Sequence, residues 1–108
     1  MLLSYASPNT VWGRGKNLVY TELIKAGYEV YFYNKNFECD FIAKKEDKII
    51  AMQVCYELNN RNQKREFNAL FKLPFNVDEK ILLTYNQTEN RSDEIRVVTF
   101  WEYFIKRF

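Results

Sequence analysis

Two apolar segments joined by three charged residues restrict this chain more than any other feature. Phe37 to Lys44 and Lys48 to Tyr56 both read as strands, and only Lys45-Glu46-Asp47 separates them. Strands joined so tightly form an antiparallel hairpin. A turn centred between Glu46 and Asp47 makes opposed residue numbers sum to 93, which sets Asp40 opposite Gln53. Cross-strand partners project to one face, about 5 Å apart at Cβ. That face carries Asp40 and Ile42 on one strand, Gln53 and Cys55 on the other. Two oxygen-bearing side chains therefore converge near one end of the hairpin. A slip of one residue would abolish the arrangement. Cys39 points to the opposite face from Cys55 in this register, so no disulfide between them is expected.

The flanking segments supply the rest of a small domain. Residues 1 to 11 read as irregular, with Pro8 and Asn9 as breakers, and residues 12 to 108 as one domain. A helix is expected at about 14 to 26, where Leu18, Val19, Leu23 and Ile24 recur at helical spacing and Gly27 stands where a terminating glycine would. Tyr28 to Tyr33 is a strand, turned at Asn34, Lys35 and Asn36 into the hairpin. Asn60 to Gln63 has the form of a capping box that starts a helix running to about Leu73, with Phe67, Leu70 and Phe71 as its buried face and Pro74 at its end. Strands at Lys80 to Tyr85 and Glu94 to Val98 follow, separated by the polar loop Asn86 to Ser92. Thr99 and Glu102 box the start of a last helix. The fold class is α/β in the broad α+β sense, a mixed sheet flanked by helices in the order αβββαββα.

Composition narrows the chemistry. The chain has 108 residues, a net charge of +2 and no histidine. Without histidine there is no Ser-His or Cys-His nucleophile and no His-ligated metal. Catalysis would have to run on carboxylates, Lys, Tyr, Cys or an oxygen-ligated ion. Two cysteines make no disulfide framework, and the reduced cytoplasm is the expected compartment. No apolar run reaches the ~20 residues of a membrane span, and the start lacks the features of a signal peptide. Gly13-Arg14-Gly15-Lys16-Asn17 glances at a phosphate loop, but Thr10 and Asn17 stand where that motif needs Gly and Ser or Thr. The chain has no ATP site of that kind. Nine Phe and eight Tyr bulk out a small core; a base-stacking platform is the sharper reading, with no local motif behind it.

Three polar positions remain inside apolar surroundings: Glu22 on the first helix, Asp40, and Gln53 in Ile-Ile-Ala-Met-Gln-Val. Mg²⁺ favours one or two carboxylates plus waters. Asp40 and Gln53 could hold one such ion weakly, completed by Glu22, and the ion would activate water and stabilise charge on a phosphate. Enzymes of that design place a lysine where Cys55 stands, and a thiol is neutral near pH 7. Lys64 or Arg65, opening the second helix, is a candidate to supply the displaced charge. The plainer readings stand beside these. Glu22 is a solvated helix edge, Asp40 satisfies a backbone donor, Cys55 is a small buried hydrophobe, and Lys64-Arg65 is a solvated face.

Five segments, Asn17 to Leu23, Gly27 to Tyr33, Glu38 to Phe41, Gln53 to Tyr56 and Lys64 to Glu66, together resemble the domain at the C-terminus of many bacterial and archaeal AAA-type ATPases. That domain is similar to the PD-(D/E)xK nuclease superfamily. The resemblance implies a restriction-endonuclease-like mixed sheet with its acidic site on the hairpin and the preceding helix. By position, Glu22 would be the helix acid and Asp40 the first strand acid, Gln53 would replace the second acid, and Cys55 the lysine. It also implies an ATPase module, in cis or in trans, and nucleic acid as a partner, with Mg²⁺ if the site is intact. This chain is then either an excised C-terminal piece or the product of a truncated gene. Three functions follow: an accessory module that binds or regulates without cleaving, an active Mg²⁺-dependent endonuclease using Glu22, Asp40 and Gln53, or a protein-interaction domain with no residual site. No oligomeric state is specified.

Overall fold

A computed structural model of the chain describes residues 3–35, 38–88 and 93–105. Six strands, β1 (Leu3–Tyr5), β2 (Glu29–Asn34), β3 (Glu38–Lys45), β4 (Lys48–Val54), β5 (Glu79–Thr84) and β6 (Ile95–Thr99), lie side by side in chain order. Neighbours from β1 to β4 run antiparallel, and β4, β5 and β6 run parallel. Helix α1 (Lys16–Lys25) precedes β2, helix α2 (Gln63–Phe71) makes the crossover from β4 to β5, and a short π-helical turn (Trp101–Ile105) closes the described chain. No helix among the described residues is long and apolar enough to cross a membrane.

The hairpin forms in the expected register, from Lys45↔Lys48 to Phe41↔Met52, with Glu46 at the turn in the left-handed region (φ 55°). Alternation along these strands loads both sheet faces. Val19 and Leu23 of α1 pack with Val30, Phe41, Ile50, Met52, Ile81 and Leu83 on one face. Phe67 and Leu70 of α2 pack with Ile42, Ala51 and Leu82 on the other.

Local chemistry explains the element ends. Gly27 (φ 92°) follows α1, and the Tyr28 and Gly27 amides donate to the carbonyls of Leu23 (3.1 Å) and Ile24 (3.0 Å). That is the glycine-terminated helix end the sequence indicates. Thr99 Oγ1 accepts from the Glu102 amide at 3.1 Å and donates to the Glu102 carboxylate at 3.1 Å, so the Thr99 half of the expected box forms there. At α2 it does not. Asn62 is the N-cap without a side-chain cap bond. The lead-in is held instead by Asn59 Oδ1, which accepts from the Arg61 and Asn62 amides, and by Asn62 Oδ1, which accepts from the Asn59 amide.

Three expectations need correction. The segment 1–11 contains β1, paired with β2 and carrying Tyr5 against Tyr31 at 4.6 Å between ring centroids. Three residues are too few for periodicity to register. The element order therefore gains β1, giving βαβββαββ followed by the expected last helix, whose stretch Trp101–Ile105 is of the π type. Cys39 and Cys55 lie on the same face, not opposite ones. Tyr31 pairs with Ile42 but Tyr33 with Cys39, so Asp40 and Phe41 together oppose Phe32. This β-bulge turns Cys39 to the side of Ile42. Both cysteines are free thiols. Asn36, Phe37 and the end of the 86–92 loop fall outside the described residues.

Candidate functional site

Beyond Phe41↔Met52 the hairpin ladder gives way to side chains. The Asp40 amide donates to Gln53 Oε1 at 2.9 Å, and the Val54 amide donates to Asp40 Oδ2 at 2.9 Å. The two residues placed opposite each other by the register are thus interlocked, each side chain accepting from a backbone N–H of the other strand. A bulge beside Asp40 and a frayed ladder ahead of it free its carboxylate from the regular pleat. Two helices then reach in from opposite faces. Lys16 of α1 places its Nζ 2.9 Å from Asp40 Oδ1. Glu66 of α2 accepts from Gln53 Nε2 at 2.9 Å through Oε2, while its Oε1 accepts from Arg65 Nη2 at 3.2 Å. The result is one continuous network, Lys16–Asp40–Gln53–Glu66–Arg65. Among the described residues no buried side-chain nitrogen or oxygen lacks a partner.

Lys16 reaches Asp40 because of the loop before it. Gly13 adopts φ 110°, and a Cβ there would lie 3.2 Å from Cδ and Cε of Lys16. The missing side chain leaves a channel for the lysine stem. The Asp40 side chain is only 9% exposed and that of Lys16 28%. Burial raises the Asp40 carboxyl above the usual carboxylate range, opposed by the Lys16 charge and the Val54 amide. The Cys55 thiol is pushed up to about 11, by burial first and by the Glu66 carboxylate second. It donates to the Glu57 carbonyl at 3.3 Å and accepts from Asn62 Nδ2 at 3.6 Å. A thiol so placed stays neutral near pH 7 and serves the turn into α2.

Of the residues singled out in the sequence, the structure joins Asp40 and Gln53 directly. Lys64 and Arg65 line a cavity of about 1030 Å³ with them, together with Lys16, Arg61, Glu66 and Lys72. The cation on Asp40 is Lys16, however, and Arg65 instead holds Glu66. Glu22 is paired with Lys25 at 3.2 Å and does not line this cavity. Among the described residues no three Cys, Asp or Glu side chains gather as a metal-holding group. Lys16 and Glu66 are the additions that residue reading missed. Glu66 had a signal: it adjoins Phe67 and lies one turn before Leu70, on the buried stripe of α2. Nothing local marks the reach of Lys16 across to β3.

The domain family described as "Domain of unknown function (DUF4143)" matches residues 16–103, a span that holds the whole network. An uncharacterised protein of Methanocaldococcus jannaschii is 38% identical over 106 residues, covering 82% of the chain and 23% of the relative. An uncharacterised protein of Haemophilus influenzae is 36% identical over 92 residues, covering 82% of the chain and 22% of the relative. The chain thus spans less than a quarter of the length of these curated relatives. No solved structure matches it.

Proposed function

The chain belongs to the DUF4143 domain family, and we propose that it serves as a nuclease-like accessory module of an AAA-type ATPase in the cytoplasm, binding nucleic acid without cleaving it. One observation carries this reading. Both Asp40 oxygens are committed, one to Lys16 and one to the Val54 amide, and the Gln53 oxygen is committed to the Asp40 amide. A hard cation gathers several oxygen ligands, and here it would have to compete with the Lys16 ammonium and the Val54 amide for Asp40 and with the Asp40 amide for Gln53. Meanwhile Lys16, Arg61, Lys64, Arg65 and Lys72 line the adjoining cavity. Lys16 and Arg65 are paired there with Asp40 and Glu66, so Arg61, Lys64 and Lys72 against the one further acid, Glu38, leave the cavity net basic, which suits a phosphate backbone.

A mixed sheet with an acid on its hairpin and a helix ahead of it supports the nuclease-like fold that the PD-(D/E)xK resemblance implies. The greater length of the relatives supports attachment to a larger unit, with the ATPase as its proposed content. A second reading, an active Mg²⁺-dependent endonuclease, is favoured by one fact: the Lys16 ammonium lies 2.9 Å from Asp40 and offers the charge that Cys55 cannot.

Incubation with supercoiled and single-stranded DNA in Mg²⁺ or Mn²⁺ separates the two. Under our reading wild type and Asp40→Ala both leave the DNA intact, while wild type binds it with a steep salt dependence. Combining Lys64→Ala with Arg65→Ala flattens the log–log salt slope by roughly 2. Cleavage by wild type that Asp40→Ala abolishes would establish the endonuclease instead.

A further inference from the structure

The stripe of core residues under α1 does not stop where the helix stops. Along β4 it runs Ile50, Met52, Val54, and along β5 Ile81, Leu83. By alternation the next members are Tyr56 and Tyr85, and strand pairing continues to them: the Cys55 amide donates to the Leu83 carbonyl at 2.8 Å and the Tyr85 amide to the Tyr56 carbonyl at 3.1 Å. Helix α1 begins at Lys16 and leaves both rings uncovered, Tyr56 at 43% and Tyr85 at 55% exposure. They stack on each other with centroids 4.8 Å apart and planes 19° from parallel. The Arg14 guanidinium lies 4.2 Å over the Tyr56 ring.

Both rings are far more exposed than Tyr33, which is buried in the core at 3%. These two form a planar, cation-capped stack at the sheet end where Asp40 and Lys16 meet. Arg14 is two residues from Lys16, and Tyr56 two from Val54, whose amide binds Asp40. The cations lining the cavity continue from there along α2.

Resting on the nucleic-acid reading above, we infer that the bound strand is single, with an unpaired base stacking on Tyr85 and its phosphates following Lys16 and the α2 cations. Base faces in a duplex are already stacked on one another and cannot lie on a ring at the protein surface, whereas every base of a single strand offers a π-face. Arg14 polarises the far side of the same stack and holds Tyr56 as its backing.

The test is fluorescence anisotropy at fixed salt with labelled oligothymidylate, oligouridylate and a mixed-sequence duplex of equal length. We expect at least one single strand to bind roughly tenfold tighter than the duplex, and Tyr85→Ala to erase about tenfold of that affinity. Tyr85→Phe, which keeps the π-face, restores it. The salt slope stays at the wild-type value in Tyr85→Ala but falls when Lys64→Ala and Arg65→Ala are combined. Which of the two single strands binds better tells DNA from RNA as the source of the ligand. Wild-type binding with equal affinity for duplex and single strands, or unchanged by Tyr85→Ala, overturns this inference and leaves the module's nucleic-acid binding standing. No binding of any of the three probes overturns both.

Discussion

Asp40 is where the two helices and the hairpin act on one another. Its carboxylate is taken out of water, a step that costs several kcal/mol for an ion unless a partner compensates, and Lys16 is that partner. The linkage has a definite sign. Burial, the largest influence, raises the folded carboxyl above its unfolded value, and the Lys16 charge pulls against it. A carboxyl with a raised folded pKa holds its proton more tightly in the native chain. Its contribution is complete below the unfolded value, about 4, and is lost as pH rises through the folded one. Replacing Lys16 by Met removes the opposing charge, lifts the folded value further and widens that window. Urea midpoints at about pH 4 and pH 8 should therefore show Lys16→Met close to wild type in acid and about 1–3 kcal/mol less stable at the higher pH. In an Asp40→Asn background the same lysine substitution should lose its pH dependence. Equal destabilisation at both pH values would mean that Lys16 acts through packing of its stem, not through its charge.

At the scale of elements, the ends of helices and strands depend on single residues. Gly27 sits at φ 92°, and a Cβ there would meet only Cε and Nζ of Lys45, at 3.5 Å. Space is available, so Gly27→Ala should cost only the left-handed backbone strain, about 1 kcal/mol in denaturant unfolding. A cost of about 2 kcal/mol would show that the exposed Lys45 bond to the Ala26 carbonyl, 2.7 Å long, is lost as well. This helix end was legible in the sequence because its chemistry is local. So was the hairpin register, set by one turn and an alternating pattern, and with it the meeting of Asp40 and Gln53. The face of Cys39 was not legible, since the bulge that turns it is decided between β2 and β3 together. Lys16 escaped for a related reason. Its partner lies beyond helix α1 and strand β2, and the glycines before it suggest by themselves only an incomplete phosphate loop. Glu66 is readable on the buried stripe of α2, where an acid beside Phe67 needs a partner.

On the scale of the whole molecule, the sheet is stiffest in its middle and the network hangs from one end of that middle. The Cα radius of gyration, 12.8 Å, matches the ~13 Å of a well-packed chain this long. β4 is paired on both sides, with β3 and β5, and Ala51 and Met52 are fully buried. β1 is three residues at a sheet edge with Tyr5 69% exposed. Amide exchange should rank accordingly, because local opening requires breaking only the contacts of the opening part. Amides of β1 exchange first, by fraying that low urea barely alters. Those of Ala51 and Met52 exchange last, with the free energy of global unfolding. The Asp40 and Val54 amides distinguish two pictures of the site, because both are held by side chains and not by the ladder. If the network is a unit fastened to a rigid sheet, these two amides open together, at a free energy below that of Met52. Gln53→Leu should then strip protection from the Asp40 amide while Met52 keeps its rank. Should Asp40 and Met52 instead exchange with one free energy and fall in step in the variant, the network belongs to the core that holds the sheet. The basic cavity would then keep its shape only as long as the sheet itself does.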